Sequence, residues 1–201
     1  MEYLVTMTTQ VPEGTTDETV QEIRGREAIR SRELAREGHL LRLWRPPLQP
    51  GQWRTIGLFA AADEAELENV LDSMPLRVWR SDRVVPLGAH PNDPPESSDV
   101  SGTEFLTTFE VTFPDSASVQ EVDDIKTREA DRTRELAEEG HLVRLWMLPP
   151  TPGSWHALGL WRAEDEAEME SLLKSLPMDM WMTTQTTPLA EHPSDPASAR
   201  A

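Results

Sequence analysis

The sequence predicts an α+β protein in which two ferredoxin-like β-α-β-β-α-β modules follow one another in a chain of 201 residues. The first observation behind this prediction is an internal repeat, since the ten residues SRELAREGHL from Ser31 return as TRELAEEGHL from Thr133. The offset of 102 residues (133 − 31) continues without a gap and maps Trp53 on Trp155. The second observation is that both copies show the same order of strand and helix patterns. The chain is therefore predicted to be a duplicated module.

Each element of the module has its own signal. In the first copy, residues 3–8 alternate between apolar and polar side chains, as a half-buried strand does. Pro12 breaks this strand, a helical pattern runs over residues 18–37, and Gly38 lies where a helix-ending glycine belongs. The remaining predicted elements are strands over residues 40–45 and 53–60, a helix that opens at Asp63 and ends at Pro75, and a strand over residues 78–85.

The predicted modules span residues 1–92 and 103–196, and a segment rich in Pro, Ser and Asp, residues 93–102, is predicted to link them. In such a module the helices cover one face of an antiparallel sheet and leave the other face bare. We expect the two bare faces to cover each other as an intrachain dimeric α/β barrel, because the tether raises the effective concentration of this pairing to roughly millimolar. Further pairing into a homo-oligomer is left open.

The composition excludes several classes of function. There are 19 basic and 36 acidic residues, and the formal charge of −17 disfavours nucleic acid and anionic membrane surfaces as partners. No cysteine is present, no run of apolar residues is long enough to span a membrane, and the N-terminus does not have the pattern of a signal peptide. The histidines are scattered without the spacing of metal ligands, so no metal is expected. These observations favour a soluble, acidic, cytoplasmic globular protein.

An acid interrupts the core-facing stripe of the first helix in both copies. On a helical wheel Glu27 falls among Val20, Ile23 and Leu34, and Glu129 falls at the same place in the second copy. A buried carboxylate is costly unless it is paired or protonated, and burial raises its pKa. Such a group can take up and return a proton near neutral pH, which makes both residues candidate acid/base catalysts. The alternative is a structural ion pair, for which Arg26, Arg30 and Arg42 are candidate partners of Glu27.

A collinear set of residues points to a known family. In the first copy it is Met7-Thr8, Pro12, Glu27, Glu37-Gly38, Leu43-Trp44-Arg45, Leu58-Phe59, Met74-Pro75-Leu76 and His90-Pro91, and in the second copy Pro114, Glu129, Gly140, Leu145-Trp146, Leu176-Pro177-Met178 and His192-Pro193. In these residues the modules resemble muconolactone delta-isomerase, a cofactor-free enzyme family of aromatic catabolism. The resemblance implies the ferredoxin-like fold, association through the sheets into dimers and larger rings, no cofactor, and a proton-transfer role for Glu27 and Glu129.

The reaction that this resemblance implies is a 1,3-proton shift in an unsaturated lactone, which one carboxylate can perform as base and then as acid. The substrate's own carboxylate needs a cation. The residues predicted to bind substrate are Arg42, Trp44, Arg45, Trp53 and Arg54 in the first copy and Arg144, Trp146, Trp155 and His156 in the second. Two alternatives stay open: an isomerase or cyclase of the same fold that acts on another enolisable, polyketide-like substrate, and a non-catalytic ligand-binding or assembly protein in which both acids are structural.

The two copies differ in their arginines. Five arginines of the first copy are replaced in the second: Arg45, Arg54, Arg77, Arg80 and Arg83 correspond to Met147, His156, Asp179, Met182 and Gln185. An anionic substrate would therefore favour the first module. One active module beside one scaffolding copy is a further possibility.

Overall fold

A computed structural model describes residues 1–95, 101–151 and 154–199. The fold is mixed α+β, and its strand pairs are antiparallel. The chain divides into two compact units. Unit 1 contains Met1–Leu87 together with the segment from Ala190 onward, and unit 2 contains Gly88–Leu189. Each unit is thus completed by a segment that begins with the last two residues of the other copy's final strand. Of the predicted linker, residues 96–100 lie outside the described residues.

Unit 1 follows the predicted order of elements, with bounds that differ from the predicted ones by a few residues. Its elements are β1 (Glu2–Thr9), α1 (Asp17–Glu37), β2 (Leu40–Arg45), β3 (Arg54–Ala60), α2 (Glu64–Asp72) and β4 (Arg80–Ala89). Strand β1 lies between β4 and β3, and β3 pairs on its other side with β2. Residues 190–191 extend the sheet beside β2, where Trp44 pairs with Glu191.

Unit 2 has the same order and the same sheet topology. Its elements are β5 (Thr103–Val111), α3 (Val119–Glu138), β6 (Leu142–Met147), β7 (Trp155–Ala163), α4 (Glu166–Lys174) and β8 (Met182–Glu191). Strand β5 lies between β8 and β7, β7 pairs with β6, and residues 88–89 extend the sheet beside β6. None of the described helices is long and apolar enough to cross a membrane.

The ends of α1 explain why it stops and starts where it does. The Thr16 side chain accepts a hydrogen bond from the backbone N–H of Thr19, which satisfies one free donor of the first turn. At the other end Gly38 has φ 81°, a left-handed conformation that glycine adopts without strain. Between these ends Ser31 and Leu34 are buried against the sheet. The helix therefore holds its position 27 at the edge of the core of unit 1.

The segment before β4 differs from the prediction. The strand expected over residues 78–85 begins only at Arg80, because Pro75–Trp79 form a short 3₁₀ helix. Pro75 occupies the start of this turn, where a missing N–H costs nothing and the fixed φ of proline suits a helical conformation. Val78 consequently points outward and is 75% exposed. The turn has a functional consequence, since it brings the backbone N–H of Leu76 to α1.

Candidate functional site

Unit 1 encloses a cavity of about 380 Å³. Residues of α1, of the sheet, of the turn at 75–79 and of the segment from Ala190 onward line it. Its polar lining residues are Thr9, Gln21, Arg24, Glu27, Ser31, Arg45, Arg54, Thr55, Arg80, His192 and Ser194. Met7, Leu43, Trp53, Met74 and Leu76 supply apolar surface. A cavity with apolar sides and a few convergent polar groups is the usual form of a small-molecule site.

The carboxyl group of Glu27 is held by two partners at this cavity. Its Oε2 accepts a hydrogen bond of 2.8 Å from the backbone N–H of Leu76, and Nη1 of Arg80 lies 3.3 Å from its Oε1. The side chain is only 13% exposed. Burial raises the pKa of Glu27, although the Leu76 N–H and the Arg80 charge both act to lower it. The carboxyl group is therefore fixed in position and can be protonated more readily than an ordinary glutamate.

Arg80 belongs to a buried network of charges that the sequence did not reveal. Its Nε lies 2.7 Å from Oδ1 of Asp82, and both side chains are 2% exposed. The other oxygen of Asp82 accepts a hydrogen bond of 2.6 Å from Arg77. The partner of Glu27 is thus Arg80, and none of the three arginines proposed from the sequence takes that role. Arg30 pairs with Glu33 and Glu37, and Arg26 is exposed.

The lining of the cavity is strongly cationic for a chain of charge −17. In the part that the structure describes, four arginines (Arg24, Arg45, Arg54 and Arg80) face one carboxylate, Glu27. The guanidinium of Arg24 lies 5.3 Å from the ring centre of Trp53. The Nε of Arg54 is buried and has no hydrogen-bond partner among the described residues. A buried donor without an acceptor is costly, so this N–H is available to a ligand.

His192 brings a second titratable group to the cavity from the far end of the chain. Its Nδ1 accepts a hydrogen bond of 3.1 Å from the backbone N–H of Ser194, so the proton of the neutral ring resides on Nε2. Burial, assisted by the charges of Arg45 and Arg24, lowers the pKa of His192 to about 4, against the opposing effect of Asp195. His192 is therefore a neutral hydrogen-bond donor at physiological pH.

Arg42 holds the segment that carries His192. Its Nη2 lies 3.1 Å from Oδ2 of Asp195, whose Oδ1 accepts a hydrogen bond of 3.0 Å from the backbone N–H of Leu43. The Asp195 side chain is 2% exposed, and the guanidinium of Arg42 lies 4.8 Å from the ring centre of Trp44. Arg42 and Trp44 are not among the described lining residues of the cavity. The structure places them instead behind the segment, where they fix it to β2.

Unit 2 repeats this anchor. Nη2 of Arg144 lies 3.2 Å from Oδ2 of Asp93, Asp93 also accepts a hydrogen bond from the backbone N–H of Leu145, and Arg144 lies 4.8 Å from the ring centre of Trp146. Arg144 and Trp146 are likewise absent from the described lining of the cavity in this unit. Part of the predicted linker, at Asp93, is therefore tied to β6.

The cavity of unit 2 is smaller, about 240 Å³, and far less charged. Glu129 lies at the same position of its helix as Glu27, and its Oε2 accepts a hydrogen bond of 2.9 Å from the backbone N–H of Met178. Burial raises the pKa of Glu129, assisted by the charge of Asp179 and opposed by the Met178 N–H. Where unit 1 has Arg80, unit 2 has Met182. Glu129 thus resembles Glu27 without the neighbouring arginine.

Two further polar residues of this second cavity, Lys126 and His156, make contacts of their own. Nζ of Lys126 lies 4.5 Å from the ring centre of Trp155 and 5.2 Å from that of Phe113. The Nε2 of His156 lies 2.6 Å from Oγ1 of Thr151 and 2.9 Å from Oγ of Ser154. Across the described part of the chain, no group of three or more His, Asp and Glu residues is arranged to hold a metal ion.

Comparison with known proteins decides the family. The model of the muconolactone delta-isomerase family matches the chain twice, over residues 1–93 and 103–195. The chain belongs to the muconolactone delta-isomerase family. Over 90 residues it is 31% identical to "Muconolactone Delta-isomerase 1" of Acinetobacter lwoffii and 30% identical to "Muconolactone Delta-isomerase" of Cupriavidus pinatubonensis. These matches cover 45% of this chain and 91% and 95% of the two relatives.

Solved structures extend the similarity to both units. Chlorite dismutase from Candidatus Nitrospira defluvii, in complex with imidazole, matches with a TM-score of 0.61 at 7% sequence identity, and the match covers 94% of this chain and 91% of that one. A novel heme-binding protein from Thermus thermophilus matches with a TM-score of 0.54 at 10% identity, covering 100% of this chain and 94% of that one. At such low identity the likeness shows the fold alone.

Within this member of the muconolactone delta-isomerase family, the structure separates the predicted site residues into two groups. Glu27, Arg45, Trp53 and Arg54 line the cavity of unit 1, and Glu129, Trp155 and His156 line that of unit 2. Arg42, Trp44, Arg144 and Trp146 lie at the anchors described above. Sequence reasoning missed Arg80 as the partner of Glu27. The difference between the copies at position 80 was the available signal for Arg80.

Glu129→Gln should raise the thermal stability of the protein at neutral pH. The pKa of the Glu129 carboxyl group is higher in the folded state than in the unfolded state. The contribution of this group to stability is therefore complete below its unfolded-state pKa. It is lost as the pH rises through the folded-state pKa. The amide of glutamine removes the charge and keeps an oxygen for the Met178 N–H. Each kcal/mol regained would raise Tm by roughly 2–4 °C. Calorimetry at several pH values checks this, and a gain in Tm that grew as the pH fell would contradict it.

Proposed function

We propose that the chain is a cofactor-free isomerase whose first cavity moves a proton between two carbons of an anionic, unsaturated lactone such as muconolactone. The observation that carries the proposal is the Glu27 carboxyl group, which is buried at a cavity beside Arg80 and has a raised pKa. Membership of the muconolactone delta-isomerase family supports an isomerase reaction. A group of this kind can act first as base and then as acid without a second catalyst.

The proposed reaction needs only one proton and one electron pair to move. The Glu27 carboxylate removes the proton from the ring carbon γ to the lactone carbonyl, and the C–H electron pair shifts through the ring onto the carbonyl oxygen. The resulting dienolate recovers the same proton from Glu27 at the α carbon, where a new C–H bond forms as the old carbonyl is restored. The atoms balance, and nothing is oxidised or reduced.

The developing charge on the oxygen needs hydrogen-bond donors, and unit 1 offers two. Arg54 has a buried Nε–H without a partner among the described residues, and neutral His192 carries a proton on Nε2. Donors placed where charge develops stabilise the transition state more than the ground state. We assign the substrate's free carboxylate to Arg24 and Arg45, because a chain of charge −17 must attract an anion through local cations.

We further propose that the two copies are ferredoxin-like modules that pair within one chain as a dimeric α/β barrel. The double match of the family model and the 94% coverage of the chain by the chlorite dismutase match support this arrangement. Pairing within the chain does not depend on protein concentration, whereas pairing between chains does. The Tm should therefore stay constant over a hundredfold range of protein concentration. A Tm that rises steadily with protein concentration would point to pairing between chains.

We also propose a cytoplasmic location and a role in aromatic catabolism, because the chain belongs to this family.

Turnover of muconolactone by the full chain, followed by ultraviolet absorbance, tests the proposal. We expect conversion to the isomer in which the double bond has moved out of conjugation with the carbonyl. The acid limb of the kcat/KM profile should lie above the ordinary pKa of glutamate, because the base must be ionised and burial raises its pKa. Absence of turnover across the pH range would remove the lactone reaction. It would then favour another enolisable substrate or a binding role.

A further inference from the structure

We propose that the cavity of unit 2 is a second active site, which takes an uncharged unsaturated lactone rather than an anionic one and uses Glu129 for the same proton shift. The idea builds on the function proposed for unit 1 and assigns the second cavity its own class of substrate. Unit 2 is then a catalytic module and not only a scaffold for unit 1.

The charges around the second cavity are those expected for a neutral ligand. Four arginines line the first cavity. Three of them are replaced in the second cavity by residues without a permanent charge, Met147, His156 and Met182. The fourth, Arg24, is replaced by Lys126, whose ammonium group lies against two aromatic rings. In the described lining of this cavity one cation, Lys126, faces one carboxylate, Glu129, whereas four arginines face Glu27 in unit 1. An anion would therefore lose its hydration here for much less electrostatic attraction.

The surface of the second cavity suits a compact apolar ring. Phe109, Leu145, Trp161, Leu176 and Met178 contribute to the lining, and all of them are buried. Aromatic, leucine and methionine side chains pack against a ring through dispersion and adapt to its shape. This composition differs from that of the first cavity, where Thr9, Arg45 and Arg80 occupy the positions of Val111, Met147 and Met182. The second cavity has therefore become apolar at the positions where the first is polar or charged.

Two neutral hydrogen-bond donors are available to the oxygen of such a ring. His90 lines the cavity, and its Nδ1 accepts a hydrogen bond of 3.1 Å from the backbone N–H of Asn92, so the proton of the neutral ring resides on Nε2. Nε1 of Trp161 is buried and has no acceptor within the described part of the chain. Trp161 lines the second cavity, and its equivalent in unit 1 is Phe59, which has no donor and is fully buried. Neutral N–H groups suit the carbonyl oxygen of a neutral lactone. Unit 2 thus combines one proton carrier, Glu129, with two neutral donors, His90 and Trp161, and a lining that is more apolar than that of unit 1.

The reaction balances as it does in unit 1. One C–H bond breaks at the ring carbon γ to the carbonyl, its electron pair moves onto the oxygen beside the Trp161 N–H, and one C–H bond forms at the α carbon with the proton that Glu129 received. The substrate needs an unsaturated lactone ring but no carboxylate side chain. The lactone 5-methyl-2(5H)-furanone meets both conditions and serves as the probe.

The full chain is assayed with 5-methyl-2(5H)-furanone and with muconolactone in parallel, as wild type, Glu129→Gln and Glu27→Gln. We expect Glu129→Gln to lower the ratio of furanone turnover to muconolactone turnover by at least about 100-fold, and Glu27→Gln to raise it. The reverse pattern, in which furanone turnover depends on Glu27 and not on Glu129, would overturn the second active site. So would a wild-type protein that does not isomerise the furanone at all.

A binding measurement separates this proposal from the function proposed for unit 1. The saturated lactone γ-valerolactone cannot undergo the shift, and its binding is followed by the indole ¹H–¹⁵N resonances of the tryptophans. We expect one indole resonance, identified as Trp161 by its loss in Trp161→Phe, to shift on titration. Acetate, which supplies the carboxylate without the lactone ring, should leave that resonance in place. If the Trp161 resonance shifts in a protein that does not turn over muconolactone, the proposal for the second cavity stands and the function proposed for unit 1 is overturned. An unshifted Trp161 resonance at saturating γ-valerolactone would overturn the second cavity alone.

Discussion

Glu27→Gln should lower kcat for muconolactone by about 10²–10⁴-fold, the range that a positioned acid/base group contributes. Glutamine keeps the shape of the side chain and an oxygen that can accept the Leu76 N–H, which lies 2.8 Å from Oε2 in the wild type. It cannot carry a proton between two carbons. The loss should appear in kcat rather than in KM, because the arginines that attract the substrate are retained. Steady-state kinetics by ultraviolet absorbance measure both constants.

The second copy provides a matched control for this substitution. Glu129→Gln makes the same chemical change at the equivalent helix position, beside the Met178 N–H, in the cavity that lacks the arginines. We expect it to affect muconolactone turnover far less than Glu27→Gln does. Circular dichroism and Tm of both variants establish that they fold. If a well-folded Glu27→Gln protein kept wild-type kcat, Glu27 would not be the proton carrier.

Arg80→Met should lower the free energy of unfolding by about 3–5 kcal/mol, the usual cost of removing one partner from a buried ion pair. Arg80 and Asp82 are each 2% exposed, and their charged atoms lie 2.7 Å apart. The substitution leaves Arg77 as the remaining partner of Asp82 and removes the positive charge beside Glu27. The pKa of Glu27 should rise as a result, so the acid limb of any remaining activity should move to higher pH. Denaturant unfolding and a pH profile of kcat/KM measure the two effects.

A double variant distinguishes the cost of leaving Asp82 without Arg80 from the cost of losing the Arg80 side chain itself. Unit 2 has Met182 and Thr184 at the positions of Arg80 and Asp82, and it folds around Glu129 without that ion pair. Arg80→Met combined with Asp82→Thr removes both charges and should recover most of the stability. The cation beside Glu27 would still be missing, so the acid limb of the kcat/KM profile should stay at the higher pH. Equal stability of the single variant and the wild type would show that the buried pair is not needed.

Much of the scaffold could be predicted because local signals determine it. The helix of residues 17–37 has a threonine cap, an acid-rich first turn and a glycine stop, and the sequence predicted it within one residue at its start. The position of Glu27 and Glu129 at a buried helix face followed from a period of 3.6 residues alone. The raised pKa of both carboxyl groups was expected on the same ground, since burial disfavours the charged form.

The partners of these acids could not be predicted because they come from distant parts of the chain. Arg42 was assigned to the substrate, yet its carboxylate partner Asp195 lies 153 residues further along the sequence. Arg80 enters the site only because the turn at 75–79 ends at the start of β4. Helical periodicity describes one element at a time and says nothing about which strand lies across from it. A comparison of the two copies was the better guide, because it showed where arginines had been gained or lost.

The segment from Ala190 onward also bears on how the gene can change. A shortened chain that stopped after the first repeat would still encode Glu27, but it would omit His192 and Asp195, and the first cavity would lose part of its lining. Selection for an intact first cavity therefore preserves the later half of the gene, whatever that half does by itself. Because the second copy is retained for this reason, its cavity residues can change, and substitutions such as Met147 and Met182 can accumulate without loss of the copy.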